Sequence, residues 1–157
     1  MAIFAYVLIA DSAMAASPAT GTLPVTATVA NSCTVTGTTA VAFGAYDPLN
    51  AADNIAGAGD FTFRCIKGTL FTMHITRNNI MVNGANNLLY TIYSDSARTV
   101  AWASAAAAAP NDSAGNPVVS PSVSNVAKTM GIFGKIAALQ DVATGNYSET
   151  ITVSVNY

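Results

Sequence analysis

The chain has 157 residues, enough for one domain with a sizeable core, and only 9% of them are charged, against about 25% in an ordinary soluble domain. Its net charge is −2 and its six basic residues (Arg64, Lys67, Arg77, Arg98, Lys128 and Lys135) are scattered, which excludes the basic stripe that a nucleic-acid backbone requires. Apolar residues make up 52%; Ser, Thr, Asn and Gly fill much of the rest, giving a neutral polar surface suited to contact with further copies of itself.

Met1–Ala10 is an apolar run too short to span a membrane, which takes about 20 residues. It suits the central region of an export signal, and Ala13-Met14-Ala15 supplies a small-x-small cleavage site. No Lys or Arg follows Met1, so the expected signal, residues 1–15, reads as truncated or miscalled at its start. The alternative is a first strand or a short buried helix.

Residues 16–30 read as an N-terminal extension. Ser17, Pro18 and Gly21 form a flexible lead. Thr22–Ala30 then alternates, with Leu23, Val25, Ala27 and Val29 on one face and Thr22, Pro24, Thr26 and Thr28 on the other, the period of a half-buried strand. Pro24 has no N–H to donate, so such a strand pairs fully on one side at most.

Residues 31–157 are expected to form the folded body. Val41–Gly44 is a short strand signal. Asp60–Ile66 puts Phe61, Phe63 and Cys65 on one face. Leu70–Thr76 turns Phe71, Met73 and Ile75 inward and leaves His74 with Thr72 and Thr76 on a polar, solvated face. Leu88–Tyr93, Thr99–Trp102 and, more weakly, Met130–Ile136 follow. Asp47-Pro48, Asn83-Gly84, Asn86-Asn87 and Gly145-Asn146 mark turns between them. Ala103–Ala109 reads as a loop with room for a helical turn, cut by Pro110. The last strand signal, Tyr147–Tyr157, places Ile151, Val153, Val155 and Tyr157 on one face, and no residue is left to form a strand after it. Many short strands with regular turns predict an all-β sandwich, here with a well-formed last strand and a detachable first one.

Catalytic chemistry finds little support. His74 is the sole histidine, and no Gly-x-Ser-x-Gly turn presents a nucleophile. One His and two distant Cys give no metal-ligand spacing, the acidic residues are spread singly without a calcium-loop pattern, and no glycine motif cradles a phosphate. The reading is therefore no enzyme, no cofactor and no metal. The sequons at Asn111 and Asn146 are assigned no role. Cys33 and Cys65 are an even count in a chain read as exported, which favours one disulfide closing a loop of about 33 residues, stabilising by about 3–4 kcal/mol in the chain-entropy account. Two buried free thiols in a cytosolic chain are the alternative.

Five segments together resemble a known family: Asn31-Ser-Cys-Thr-Val35, Phe43-Gly-Ala-Tyr-Asp-Pro-Leu49, Phe63-Arg-Cys-Ile-Lys-Gly68, Leu88-Leu-Tyr-Thr-Ile-Tyr-Ser-Asp95 and Gly145-Asn-Tyr-Ser-Glu-Thr-Ile-Thr-Val-Ser-Val-Asn-Tyr157. Over about residues 22–157 the chain is similar to the spore coat protein U domain, which includes major pilins of archaic, Csu-type chaperone–usher pili. It departs at Ser148-Glu149, where relatives often carry an Asp after the Tyr, a position read as lying on the surface. The resemblance implies an incomplete immunoglobulin-like β-sandwich lacking its final strand, completed by a donor strand from another subunit. Leu23, Val25, Ala27 and Val29 would be the donor face, and Ile151, Val153, Val155 and Tyr157 the edge of the acceptor groove. It implies identical subunits in a head-to-tail homopolymer, a periplasmic chaperone and an outer-membrane usher as partners. The product would be an extracellular fibre reached through the periplasm, serving adhesion and biofilm formation. Three rivals stand beside it: a secreted protective coat protein built by the same exchange; an adhesin with Trp102, Tyr90 and Tyr93 as a sugar platform, although strand aromatics more commonly pack in a core; and an eight-stranded outer-membrane barrel, whose strands need about 9–11 residues.

Overall fold

A computed structural model describes residues 17–102, 104, 120–121 and 124–157. The expected signal at 1–15, Asn111 and, apart from Ser104, the Ala103–Ala109 stretch lie outside the described residues. Among the described residues eight strands follow one another: β1 (Cys33–Ala42), β2 (Ala58–Cys65), β3 (Leu70–Thr76), β4 (Ile80–Asn83), β5 (Asn86–Tyr93), β6 (Ser120–Pro121), β7 (Lys128–Ile136) and β8 (Thr152–Asn156). They form a five-stranded sheet in the order β1-β2-β7-β5-β4 and a three-stranded sheet in the order β6-β3-β8. Every strand pairing is antiparallel, and no helix occurs among the described residues.

The core lies between the two layers because period-two strands turn alternate side chains inward. Phe61, Phe63 and Cys65 of β2 and Phe71, Met73 and Ile75 of β3 are buried, as their alternation predicts. Phe63 and Phe71 meet edge to face at 5.3 Å across the sheets, and Phe61 packs on Trp102 at 5.7 Å. Phe43 lies edge-on to Tyr90 at 5.9 Å. A Cβ at Gly57 or Gly134 would overlap the Phe43 ring, so these two glycines are small because an aromatic ring occupies the space a side chain would take. A packed apolar interior between two sheets separates this fold from the outer-membrane barrel.

The register defines two ends. At one, the Cys33–Cys65 disulfide joins the start of β1 to the finish of β2, directly opposite each other in the ladder. Lys128, opening β7, and Asn156, closing β8, lie at the same end. At the other, Ala42 closes β1 beside Ala58, Ile136 closes β7 beside Tyr90, and Thr152 opens β8 beside Thr76.

Several expectations change. Thr22–Ala30 forms no ladder, and the segment is exposed throughout. The Val41–Gly44 signal is the tail of a ten-residue strand that starts at Cys33. Thr34, Thr36, Thr38, Thr39 and Gly37 hide it from a hydrophobic pattern, and register shifts after Val35 and Thr39 break its period. β4 is four residues long, too short to read by periodicity, and reaches β5 through a turn with Gly84 at φ 58°. Thr99–Trp102 is a turn, not a strand: the Asp95 carboxylate accepts hydrogen bonds from the N–H groups of Thr99 and Val100, and only Ala101 bridges to Tyr93. The Tyr147–Tyr157 strand begins only at Thr152; Ser148 instead bridges to Val82.

His74 is also corrected. It is buried, 7% exposed: β3 is the central strand of its sheet, and the Asn156 side chain of β8 lies against the ring. Its Nδ1 lies 3.2 Å from the Asn156 amide nitrogen, which also donates to Thr72 Oγ1 at 3.5 Å. Alternation assigned the face correctly but not what would shelter it.

Candidate functional site

β8 pairs with β3 from Thr72 opposite Asn156 to Thr76 opposite Thr152. Its other edge has no ladder among the described residues. β1 likewise pairs only with β2. The two free edges come within 8 Å, Cα to Cα, without hydrogen-bonding as strands. The sandwich is therefore open along the side between β1 and β8.

What lines the opening follows from the sequence. Ile151, Val153 and Val155 pack against the core and remain half-buried. Tyr157, at the far end of the same face, is 63% exposed. Opposite, only Cys33 and Val41 of β1 reach the core, and Val35 is 40% exposed. A strand of Thr and Gly has too little apolar volume to close over the Ile-Val-Val row. Apolar side chains beside unpaired backbone edges make a surface that favours one more strand.

The alternating segment ahead of β1 has the opposite shape. Leu23, Val25 and Val29 are 86%, 92% and 76% exposed, and Ala27 is exposed with them. The structure brings Ile151, Val153 and Val155 together on an unpaired edge but does not bring Leu23, Val25, Ala27 or Val29 to it. The root of that segment is fixed. Ile66 N–H donates to Ser32 O at 2.9 Å, Thr69 Oγ1 donates to Asn31 Oδ1 at 3.5 Å, and the disulfide holds the next residue.

A polar hub positions the start of β8. Arg77 donates to Ile75 O at 2.9 Å, Trp102 O at 2.6 Å and Asn79 Oδ1 at 2.7 Å. The Glu149 carboxylate accepts from the N–H of Asn78 and, at 3.0 Å, from that of Ile80. Glu149 is half-buried and ties β4 to the entry to β8, whereas Ser148, the residue after Tyr147, is exposed as expected. Burial holds the Arg77 guanidinium below its ordinary range, opposed by Tyr90 and Glu149. Burial pushes the Tyr90 hydroxyl well above its ordinary value, helped by a hydrogen bond to Glu149. Beyond the hub, a cavity of about 570 Å³ opens between the loop after β1 and the loop before β8, with Tyr46, Pro48, Met81, Val142 and Tyr147 in its wall.

The aromatic platform of the adhesin reading is absent: Trp102 is 2% and Tyr90 7% exposed, and Tyr93 is half-buried. Sequence reasoning missed β1, β4 and the Arg77–Glu149 hub. The cue to the hub was Arg77 just after the β3 run and Glu149 just before the β8 run, in a chain that uses charge sparingly.

This architecture is that of an incomplete immunoglobulin-like β-sandwich carrying one disulfide and an appended apolar segment. Residues 19–154 match the family model of the Spore Coat Protein U domain. The chain belongs to that family, the family of Csu-type chaperone–usher pilus subunits, whose members are structural and not enzymatic. No curated protein matches the chain.

Proposed function

We propose that this chain is a pilin that polymerises by strand donation. Residues 1–15 direct export, residues 16–30 are the donated segment, and residues 31–157 are the accepting body. Leu23, Val25, Ala27 and Val29 of one copy enter the opening beside Ile151, Val153, Val155 and Tyr157 of another. The observation that supports this is the pairing of two deficits in one chain: a core bordered by two unpaired edges, and an apolar alternating segment with nothing to cover it.

Physical chemistry favours the union. Burying Leu23, Val25 and Val29 contributes about 1.5–3 kcal/mol each, and each ladder hydrogen bond adds about 0.5–1.5 kcal/mol. Ordering the segment opposes these gains. Period-two side chains set the register. A donor surface different from the acceptor surface gives a head-to-tail contact that propagates into a filament. In this reading a periplasmic chaperone occupies the opening before assembly, an outer-membrane usher exchanges it for the next subunit, and the extracellular fibre serves adhesion and biofilm formation.

Val25→Asp is the test. A carboxylate on the donated face must be desolvated to enter the opening, so chaperone-bound subunit should accumulate while fibres disappear from electron micrographs. Long fibres from this variant would refute the assignment.

A further inference from the structure

We infer that successive copies also dock body to body, the acidic cavity end of one against the basic disulfide end of the next. This rests on the strand-donation reading and adds a second contact surface to it. The first ground is reach. Asn31 and Ser32 are hydrogen-bonded to their own body through Thr69 and Ile66, and Cys33 is in the disulfide. Only Ala30 lies between the last donated apolar residue, Val29, and that anchored root. Two residue steps span at most about 7 Å, so once Val29 is inserted, the disulfide end of the donor abuts the acceptor.

The second ground is charge. The disulfide end carries Arg64, Lys67 and Lys128, all exposed, and none of them forms an ion pair among the described residues. The cavity end carries Asp47 and Asp141, both exposed and also without an ion pair there. Asp53 is neutralised by Lys135 at 3.3 Å, Glu149 is engaged in the hub with Arg77, and the half-buried Arg98 guanidinium at this end is turned onto the backbone carbonyls of Gly134 and Ile55, which leaves Asp47 and Asp141 as the outward charges. If the donated strand ran so that two disulfide ends met, three cations would face their own copies. Run the other way, those cations face Asp47 and Asp141. Like charges in apposition are penalised and complementary ones speed encounter, so the charge pattern selects the second arrangement.

The third ground is apolar surface at the same place. Leu49, Leu139 and Ile55, 89%, 62% and 56% exposed, lie on the loops at the cavity end. Leu70, 56% exposed, follows the disulfide turn at the other end. A second copy held within about 7 Å covers both.

Fibres treated with a carbodiimide, which joins a carboxylate to an amine only in contact, should yield peptides linking Lys67 or Lys128 to Asp47 or Asp141 of a neighbouring copy. The chaperone-bound subunit should not. The Lys67→Glu/Lys128→Glu variant should still form fibres, but from purified chaperone complexes at low salt its assembly should slow about tenfold. The difference should vanish near 1 M salt, where charges beyond about 3 Å are screened. Adding Asp47→Lys/Asp141→Lys should restore the rate. Fibres with no end-to-end cross-link and a salt-independent rate in the variant overturn the contact alone. A parent chain that forms no fibre, or a Val25→Asp chain that does, overturns strand donation and the contact with it.

Discussion

Thr22–Ala30 and Ile151–Tyr157 carry the same pattern, four residues on one face at every second position, and meet opposite fates. The second lies against Phe- and Ile-rich layers and pairs with β3. The first stands in solvent, with Val25 92% exposed. Alternation therefore encodes a need for cover on one face and for a ladder along the edge. It does not say which molecule provides them. The proposal of strand donation rests on a segment whose need is unmet within the described chain.

The sharpest way to break this contrast is to place the same charge on each segment. In isolated subunit, Val153→Asp should lower unfolding free energy by about 2–4 kcal/mol, because that side chain packs on the core. Val25→Asp should leave it unchanged, because that side chain is 92% exposed. Denaturant melts of the two variants decide it; equal effects would mean that the first segment packs on its own body. Next is Cys33→Ser, at the hinge between the two regions, expected to cost about 3–4 kcal/mol in the same melts; an unchanged midpoint would count against the bridge as a stabiliser. Smaller than either is Gly134→Ala, which should cost about 1–3 kcal/mol by crowding Phe43 while leaving strand donation intact by electron microscopy.

The smallest effect is on pH. At Asp95, desolvation would raise the carboxyl, but hydrogen bonds from Val100 and Thr99 prevail and hold it below the ordinary value. Asp53 is lowered by the Ala138 N–H and then by Lys135. Groups depressed on folding stabilise fully above the unfolded value, near 3.9, and lose that contribution as pH falls through the folded one. Stability of the body should therefore decline below about pH 4, and Asp95→Asn should flatten that decline in melts taken from pH 5 to pH 2.

Much of the architecture was legible because β2, β3, β5 and β8 bury one face, and burial writes a period of two into sequence. β3 was readable to its end residues. β1 was not, because a strand exposed on nearly all its positions has no burial to record, and its two register shifts scramble what remains. The turn at Asp95–Trp102 looked like a strand because Val100 and Trp102 are apolar at alternate positions, whereas a carboxylate binding two backbone N–H groups sets its path. The family's motifs carried the assembly reading. No local pattern could carry the open side between β1 and β8, which is a relation between residues more than a hundred positions apart.

The disulfide has a mechanical meaning. A pull on residues 17–30 enters the body at Cys33, the first rung of the β1–β2 ladder. Without a covalent tie there, tension would open that ladder one rung at a time, like a zip. With Cys65 bonded at the first rung, the load passes straight into β2, which is hydrogen-bonded on both sides, and β1 is bypassed. An edge strand of the sandwich is thus spared by a clasp set where the strain would arrive.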